Sequence, residues 1–149
     1  MNSKKYPLPS FLQGTCTIET YEKWLDKRAN EIYKRDISRQ KPFALTGSVS
    51  FYKESIHAAV MKGGVIDPYT GETLRWDLIG TWYTLTDNGP ATAFNKDFFL
   101  LPTVDHKDPD AEVLDLEICS WLVNTCKNLL NPADFVAFCK KVAVYRNGG

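Results

Sequence analysis

The sequence predicts an α+β domain in which N-terminal helices pack on a strand–loop–strand–helix unit, with one more helix at the C-terminus. Three observations predict it. Apolar residues recur at helical spacing from Tyr21 to Tyr33 and again from Tyr52 to Val60. Residues 98–131 hold two short apolar runs separated by an acidic, proline-containing loop, then a second helical pattern. Asn131-Pro132 finally places a capping side chain and a proline where a helix begins. At 149 residues the chain reads as a single domain with its own core, helical over 1–62 and mixed over 63–149.

Composition sets the outer limits. The 44% hydrophobic content excludes wholesale disorder. No run reaches the roughly 18 apolar residues of a membrane span, so no membrane partner is expected. The first residues, MNSKKYPLPSFLQG, lack an apolar core and predict no signal peptide. Cys16, Cys119, Cys126 and Cys139 have no short paired spacing, and Cys126 and Cys139 fall on apolar stripes. Buried free thiols in a reducing, cytoplasmic setting are the expectation. Net charge is zero, against a generic polyanion binder, but residues 1–62 carry eleven Lys/Arg and six Asp/Glu, while 63–149 carry seven and twelve. That split suits a basic surface beside an acidic, cation-binding site, and also arises by chance.

In order along the chain, residues 1–16 read as an irregular arm. Thr17 is a good N-cap and Glu19 suits the first turn of a helix whose stripe is Tyr21, Trp24, Leu25, Ala29, Ile32 and Tyr33. Its other face carries Lys23, Lys27, Arg28, Lys34, Arg35 and Arg39, with Glu22, Asp26, Glu31 and Asp36 as balancing acids. The plainer reading is a solvated face with i,i+4 pairs; the functional one is a phosphate-contacting face at Lys34, Arg35 and Arg39. Lys41-Pro42 breaks this helix, and Thr46-Gly47-Ser48 is a turn. A second helix over 50–62 places Tyr52, Ile56, Ala59 and Val60 inward and stops at Gly63-Gly64. His57 on it reads as structural. Residues 65–74 form a tight hairpin or knuckle around Asp67-Pro68 and Thr70-Gly71. Trp76 to Leu85 suits either a strand or a short helix, and Asp87-Asn88-Gly89-Pro90 a turn.

Phe98 to Leu101 suits a buried strand that Pro102 bends or demotes to an edge. Residues 113–118 alternate apolar and acidic as a half-buried antiparallel partner would. The following helix should put Leu122, Val123, Cys126, Leu129 and Leu130 inward, with Asn124, Lys127 and Asn128 on the polar face. The last helix has the stripe Phe135, Phe138, Cys139 and Val142, and residues 145–149 should fray.

Between the two strands lies the chemistry. Asp105 and His106 are adjacent, so on an extended strand end they face opposite ways. The helix folding back can bring Asn124 beside Asp105. Carboxylate and carboxamide oxygens are hard ligands, suited to Mg²⁺, Mn²⁺ or Ca²⁺. The metal would stabilise charge on a phosphate, and His106 would take the proton from an attacking water.

Three stretches resemble the HNH endonucleases, the ββα-metal finger nucleases, in an uncharacterised bacterial HNH-like branch. Asp105-His106-Lys107-Asp108-Pro109 resembles their D-H-x-x-P segment. Trp121-Leu122-Val123-Asn124-Thr125-Cys126-Lys127 resembles W-x-x-N-x-x-K at the finger helix. Asp67-Pro68-Tyr69-Thr70-Gly71-Glu72 resembles the knuckle turn before the finger. The resemblance covers residues 63–142. It implies N-terminal helices packed on a ββα-metal (HNH-like) finger, with Asp105 and Asn124 as metal ligands, His106 as general base and Lys127 in support. Asp115 stands where the family has a middle asparagine that braces the loop, which is a departure. Asp67 and Thr70 stand where a cysteine pair might be, so no structural zinc is expected and the apolar core should hold the finger.

The expected function is a metal-dependent endonuclease using one Mg²⁺ or Mn²⁺ on nucleic acid, DNA before RNA, with Lys34, Arg35, Arg39 and Lys127 contacting the strand. The alternative is a non-catalytic HNH-like module that binds nucleic acid or protein. A third class, a small-molecule hydrolase walled by the aromatics of 76–99, ranks below both.

Overall fold

The computed structural model describes residues 5–80 and 96–148. Over these residues the chain is helical with one small antiparallel sheet, an α+β arrangement. The expected turn at 87–90 and residues 81–85 of the segment 76–85 lie outside the described residues; within them, Trp76–Leu78 is one 3-10 turn.

Helix α1 spans Ile18–Ser38, with the Thr17 hydroxyl accepting from the Thr20 N–H at 3.1 Å as its N-cap. The expected stripe is inside: Tyr21, Trp24, Leu25, Ala29 and Ile32 are all buried. Pro42 ends nothing by itself. The chain turns at Gln40, whose φ is +55°, and Pro42 opens the short helix α2, Pro42–Leu45, where its missing N–H is unneeded. Helix α3, Val49–Gly63, starts on the Ser48 cap and buries Tyr52, Ile56 and Val60 against α1. The N-terminal arm is more ordered than expected: Tyr6 and Leu12 join this core, the latter from a 3-10 turn.

Strands β1, Pro102–His106, and β2, Leu116–Ser120, pair antiparallel with Val104 opposite Ile118 and Asp105 opposite Glu117. Both boundaries differ from expectation. The apolar run at 98–101 is a 3-10 turn and its exit, and Pro102 is the first strand residue, where it gives up no donor the ladder needs. The second strand begins later than 113; Val113 lies in the loop and is 69% exposed. Val104 and Ile118 face the α1–α3 core. Helix α4, Trp121–Lys127, follows β2 directly and packs back on β1. Helix α5, Pro132–Arg146, is capped by Asn131, whose Oδ1 accepts from the Asp134 N–H at 2.8 Å.

The two last helices depart most from the expected burial. On α4, Val123 and Lys127 are inside and Cys126 is outside; Leu129 beyond it is 61% exposed. On α5 only Phe135 is buried, against Tyr69, while Phe138, Cys139 and Val142 are exposed. The helix also continues through Tyr145 and Arg146, which were expected to fray. An apolar stripe names a face that can be buried; whether another element lies there depends on chain direction, and α5 leaves the body after its first turn. The buried-thiol expectation therefore holds for Cys119 and fails for Cys126 and Cys139.

His57 is structural, as expected. Its Nδ1 lies 2.7 Å from the Tyr21 hydroxyl, beside the rings of Tyr6 and Tyr21. Burial pushes the imidazole below its ordinary value of 6.5 and the Tyr21 phenol upward, so the phenol donates and the ring stays neutral. A depressed folded value means the unfolded chain binds the extra proton more readily. Stability linked to His57 is thus full above pH 6.5 and is lost as the pH falls below it. We expect the melting temperature to fall as the pH drops below about 6.5, and a His57→Gln variant to show a flatter profile there; identical profiles would refute the linkage.

Candidate functional site

The β1–β2 pair separates two sets of polar side chains. Asp105 and His106 do point to opposite sides, and each meets a buried partner of opposite chemistry. On one side, His106 Nε2 lies 2.9 Å from Asp36 Oδ1 of α1. The other oxygen, Asp36 Oδ2, accepts from the Tyr52 hydroxyl of α3 at 2.7 Å. Asp36 is 0% exposed and the His106 side chain 11%. Burial pushes the Asp36 carboxyl up, but the hydrogen bonds from His106 and Tyr52, with the charges of His106 and Arg35 nearby, hold it below its ordinary value. The same burial and hydrogen bond push the Tyr52 phenol up, so it remains a donor. In the tautomer that gives Nε2–H to the carboxylate, the ring's lone pair lies on Nδ1.

Asp36 was expected among the solvated acids of α1. It instead continues the buried positions Ala29 and Ile32, three and four residues apart. A carboxylate at a stripe position was the signal available in the sequence.

On the other side, Lys127 is fully buried. Its Nζ donates to Asp105 Oδ2 at 2.8 Å and to the His106 carbonyl at 3.2 Å. The expected polar-face lysine is therefore an internal one, set four residues after buried Val123 on α4. Its ammonium is committed to Asp105 and is not displayed to a strand. Asn124, one turn earlier, also reaches β1, but to different atoms. Its Nδ2 donates to Thr103 Oγ1 at 3.1 Å and lies 3.4 Å from the Val104 carbonyl oxygen. Thr103 Oγ1 in turn donates to the Cys119 carbonyl at 2.9 Å. Asn124 thus lies in the β1–α4 seam with Asp105 without the two sharing a hydrogen-bonded partner.

Glu117, across the ladder from Asp105, accepts from the Tyr69 hydroxyl at 2.6 Å. Burial pushes its carboxyl up, and the neighbouring Asp105 charge adds to that. Tyr69 comes from the turn at 67–71. Asp67, fully buried, takes the N–H groups of Tyr69 and Thr70 on Oδ1 at 2.7 and 2.8 Å, and the Ser120 N–H on Oδ2 at 2.7 Å. One carboxylate therefore shapes the turn and ties it to the strand–helix junction. The hold on this region is polar as well as apolar, since the cluster of Cys119, Val123, Phe135 and Tyr69 is small.

Asp115 is exposed, and its backbone carbonyl closes the loop by accepting from the Lys107 N–H at 2.9 Å. Lys34 and Arg35 are exposed on α1, and Arg39 is exposed just past its end. Of the three, Arg35 lines a cleft of about 290 Å³ between α1 and α4, which Asn124 also lines.

A divalent cation would need oxygen donors at this seam. Asp105 Oδ2 and the His106 carbonyl supply them, and the Lys127 ammonium marks the spot as one where a positive charge is held. Both oxygens are engaged by that ammonium, and among the described residues no group of three or more His, Cys, Asp or Glu side chains gathers that could hold a metal ion.

No protein-family model, curated protein or solved structure matches this chain. No helix in the described residues is long and apolar enough to cross a membrane.

Removing one partner of a buried ion pair strands the other. We expect Lys127→Met to destabilise the fold by about 3–5 kcal/mol, measured by denaturant unfolding. Adding Asp105→Asn in that background should recover part of the loss. Millimolar Mn²⁺ should raise the melting temperature of Lys127→Met more than that of the parent; equal shifts would argue against a cation position at Asp105.

Proposed function

We propose that this chain hydrolyses phosphodiester bonds in nucleic acid through an HNH-like finger formed by β1, β2 and α4, with DNA as the first substrate. The observation that carries the reading is His106 at the end of β1 with Nε2 held by a buried carboxylate. A general base needs a defined tautomer and a partner for its charge when protonated. Asp36 supplies both, and Tyr52 keeps Asp36 from turning. Nδ1 is then the atom that takes the proton from water, an effect worth about 10²–10⁴ in rate. Asp105, with Asn124 beside it on the seam, would hold a Mg²⁺ or Mn²⁺ ion. When bound, that ion would supply charge stabilisation at the phosphate and leaving oxygen. Lys127 must withdraw from Asp105 for this, and is then a cation freed beside the site.

A second reading rests on the same ion pair. With Lys127 seated on Asp105, the carboxylate is already neutralised, and the finger would bind nucleic acid or protein without cutting it.

Cleavage of supercoiled plasmid and of single-stranded oligonucleotides, with Mg²⁺ or Mn²⁺ and with EDTA, separates the two. The hydrolase reading expects metal-dependent cutting that falls at least about a hundredfold in His106→Ala. Asp36→Asn should lower kcat while leaving KM near the parent value, because Asp36 acts through His106. No cutting by folded protein on any substrate would leave the binding module. Full cutting in His106→Ala would remove His106 from the mechanism.

A further inference from the structure

The cleft between α1 and α4 carries a separate inference, drawn from its shape and its charges. Arg28, Glu31 and Arg35 line one wall from successive turns of α1; Trp121, Asn124 and Thr125 line the other from α4. Two of the charges are already spoken for: Arg28 Nη1 lies 3.2 Å from Glu31 Oε2. Arg35 is different. Among the described residues its guanidinium makes no ion pair or side-chain hydrogen bond, so the cleft keeps one planar cation whose donors are not engaged, with the Asp36 charge nearby. The Thr125 hydroxyl adds a neutral donor and the Trp121 indole an aromatic surface on the facing wall. At about 290 Å³ the space sits at the small end of ligand sites.

We infer that this cleft is a subsite for the backbone phosphate of a single nucleic-acid strand, with Arg35 as its anchor. The inference rests on the proposed action on nucleic acid but holds under either reading of the finger, cutting or binding. The chemistry suits a phosphodiester: a guanidinium fork matches two phosphate oxygens, a hydroxyl serves as a further donor, and an aromatic side chain lies where sugar or base would sit. The placement is also useful. Arg35 immediately precedes Asp36, which holds His106, and the facing wall carries Asn124 of the finger helix. One turn of α1 would position the strand on one side and the base on the other. Lys34 on the same helix and Arg39 just past its end, both exposed, lie outside the cleft's lining and would contribute only long-range attraction.

The test is fluorescence anisotropy of a labelled single-stranded oligonucleotide at several salt concentrations, with Mg²⁺ omitted so that nothing is cut. Arg35→Gln should weaken binding about tenfold and reduce the salt slope by about one phosphate contact, while Lys34→Gln changes affinity less than about twofold. Arg35 is exposed, so its replacement leaves the fold intact, which a melting curve verifies. Binding by Arg35→Gln equal to the parent would overturn the subsite even if plasmid is cut, leaving the hydrolase reading standing. Loss of binding in Arg35→Gln together with absent cleavage in the parent would uphold the subsite and defeat the hydrolase. Inorganic phosphate is the second probe. If it displaces the oligonucleotide at concentrations near its own affinity and the oligonucleotide binds no more tightly, the cleft is a free-anion site and the inference fails. Failure of the parent to bind any oligonucleotide at low salt would overturn it outright.

Discussion

The carboxylate of Asp36 is the constraint on which the rest of the arrangement depends. It lies in the interior of α1, out of contact with solvent, and its two oxygens face two other elements: Tyr52 on α3 and His106 on β1. A buried carboxylate without partners would be displaced or protonated. Here each oxygen has a donor, so the group is held below its ordinary value and becomes a tie between the helical half and the sheet. The apolar contacts of Tyr21, Ile56, Val104 and Ile118 bring these elements together, but such contacts are not directional. The hydrogen bonds from Tyr52 and His106 select one rotation of α1 and one end of β1.

Two further buried charges repeat the device on the far side of the sheet. Asp67 gathers three backbone N–H groups and so joins the turn at 67–71 to the start of α4. Lys127 crosses from α4 to Asp105 and the His106 carbonyl. The small second core could not orient α4 by itself, with so few buried side chains. A polar group in a small core is an asset only when all its partners are present, and all three of these groups have them. The consequence for function is that Asp105 and His106, neighbours in the chain, are held by different halves of the molecule. Whatever moves α1 relative to the sheet acts on His106, and whatever moves α4 acts on Asp105.

Much of the fold could be read directly. Thr17 and Asn131 each announced a helix that begins at the next residue, because capping is a local contact between a side chain and an N–H three residues on; Ser48, read as part of a turn, caps α3 in the same way. The burial of the α1 stripe followed from its period. The candidate site was half legible. Asp105 and His106 do end a strand and diverge, as alternation requires. The partner of each was not legible: Asp36 lies 70 positions from His106 and Lys127 lies 22 from Asp105. Both carry charge, and the expectation that charge faces solvent hid their places on buried stripes beside Ile32 and Val123. The same averaging failed in the other direction on α5, where Phe138 and Val142 share a stripe with Phe135 but have nothing described above them.

What the sequence determined by itself is therefore whatever is set within a few residues: the helix starts, the periodic faces, the turn at Asp67 and the opposed directions of Asp105 and His106. Only the tertiary structure decided which charge meets which. That Lys127 and not Asn124 reaches Asp105, that His106 is held by Asp36, and that Arg35, not Lys34 or Arg39, lines the α1–α4 cleft all depend on how helices are rotated and set down on the sheet. The physical reason is one of range. Caps and alternation act through adjacent covalent geometry, whereas a buried ion pair is selected by the dense packing around it, and packing is a property of the whole chain.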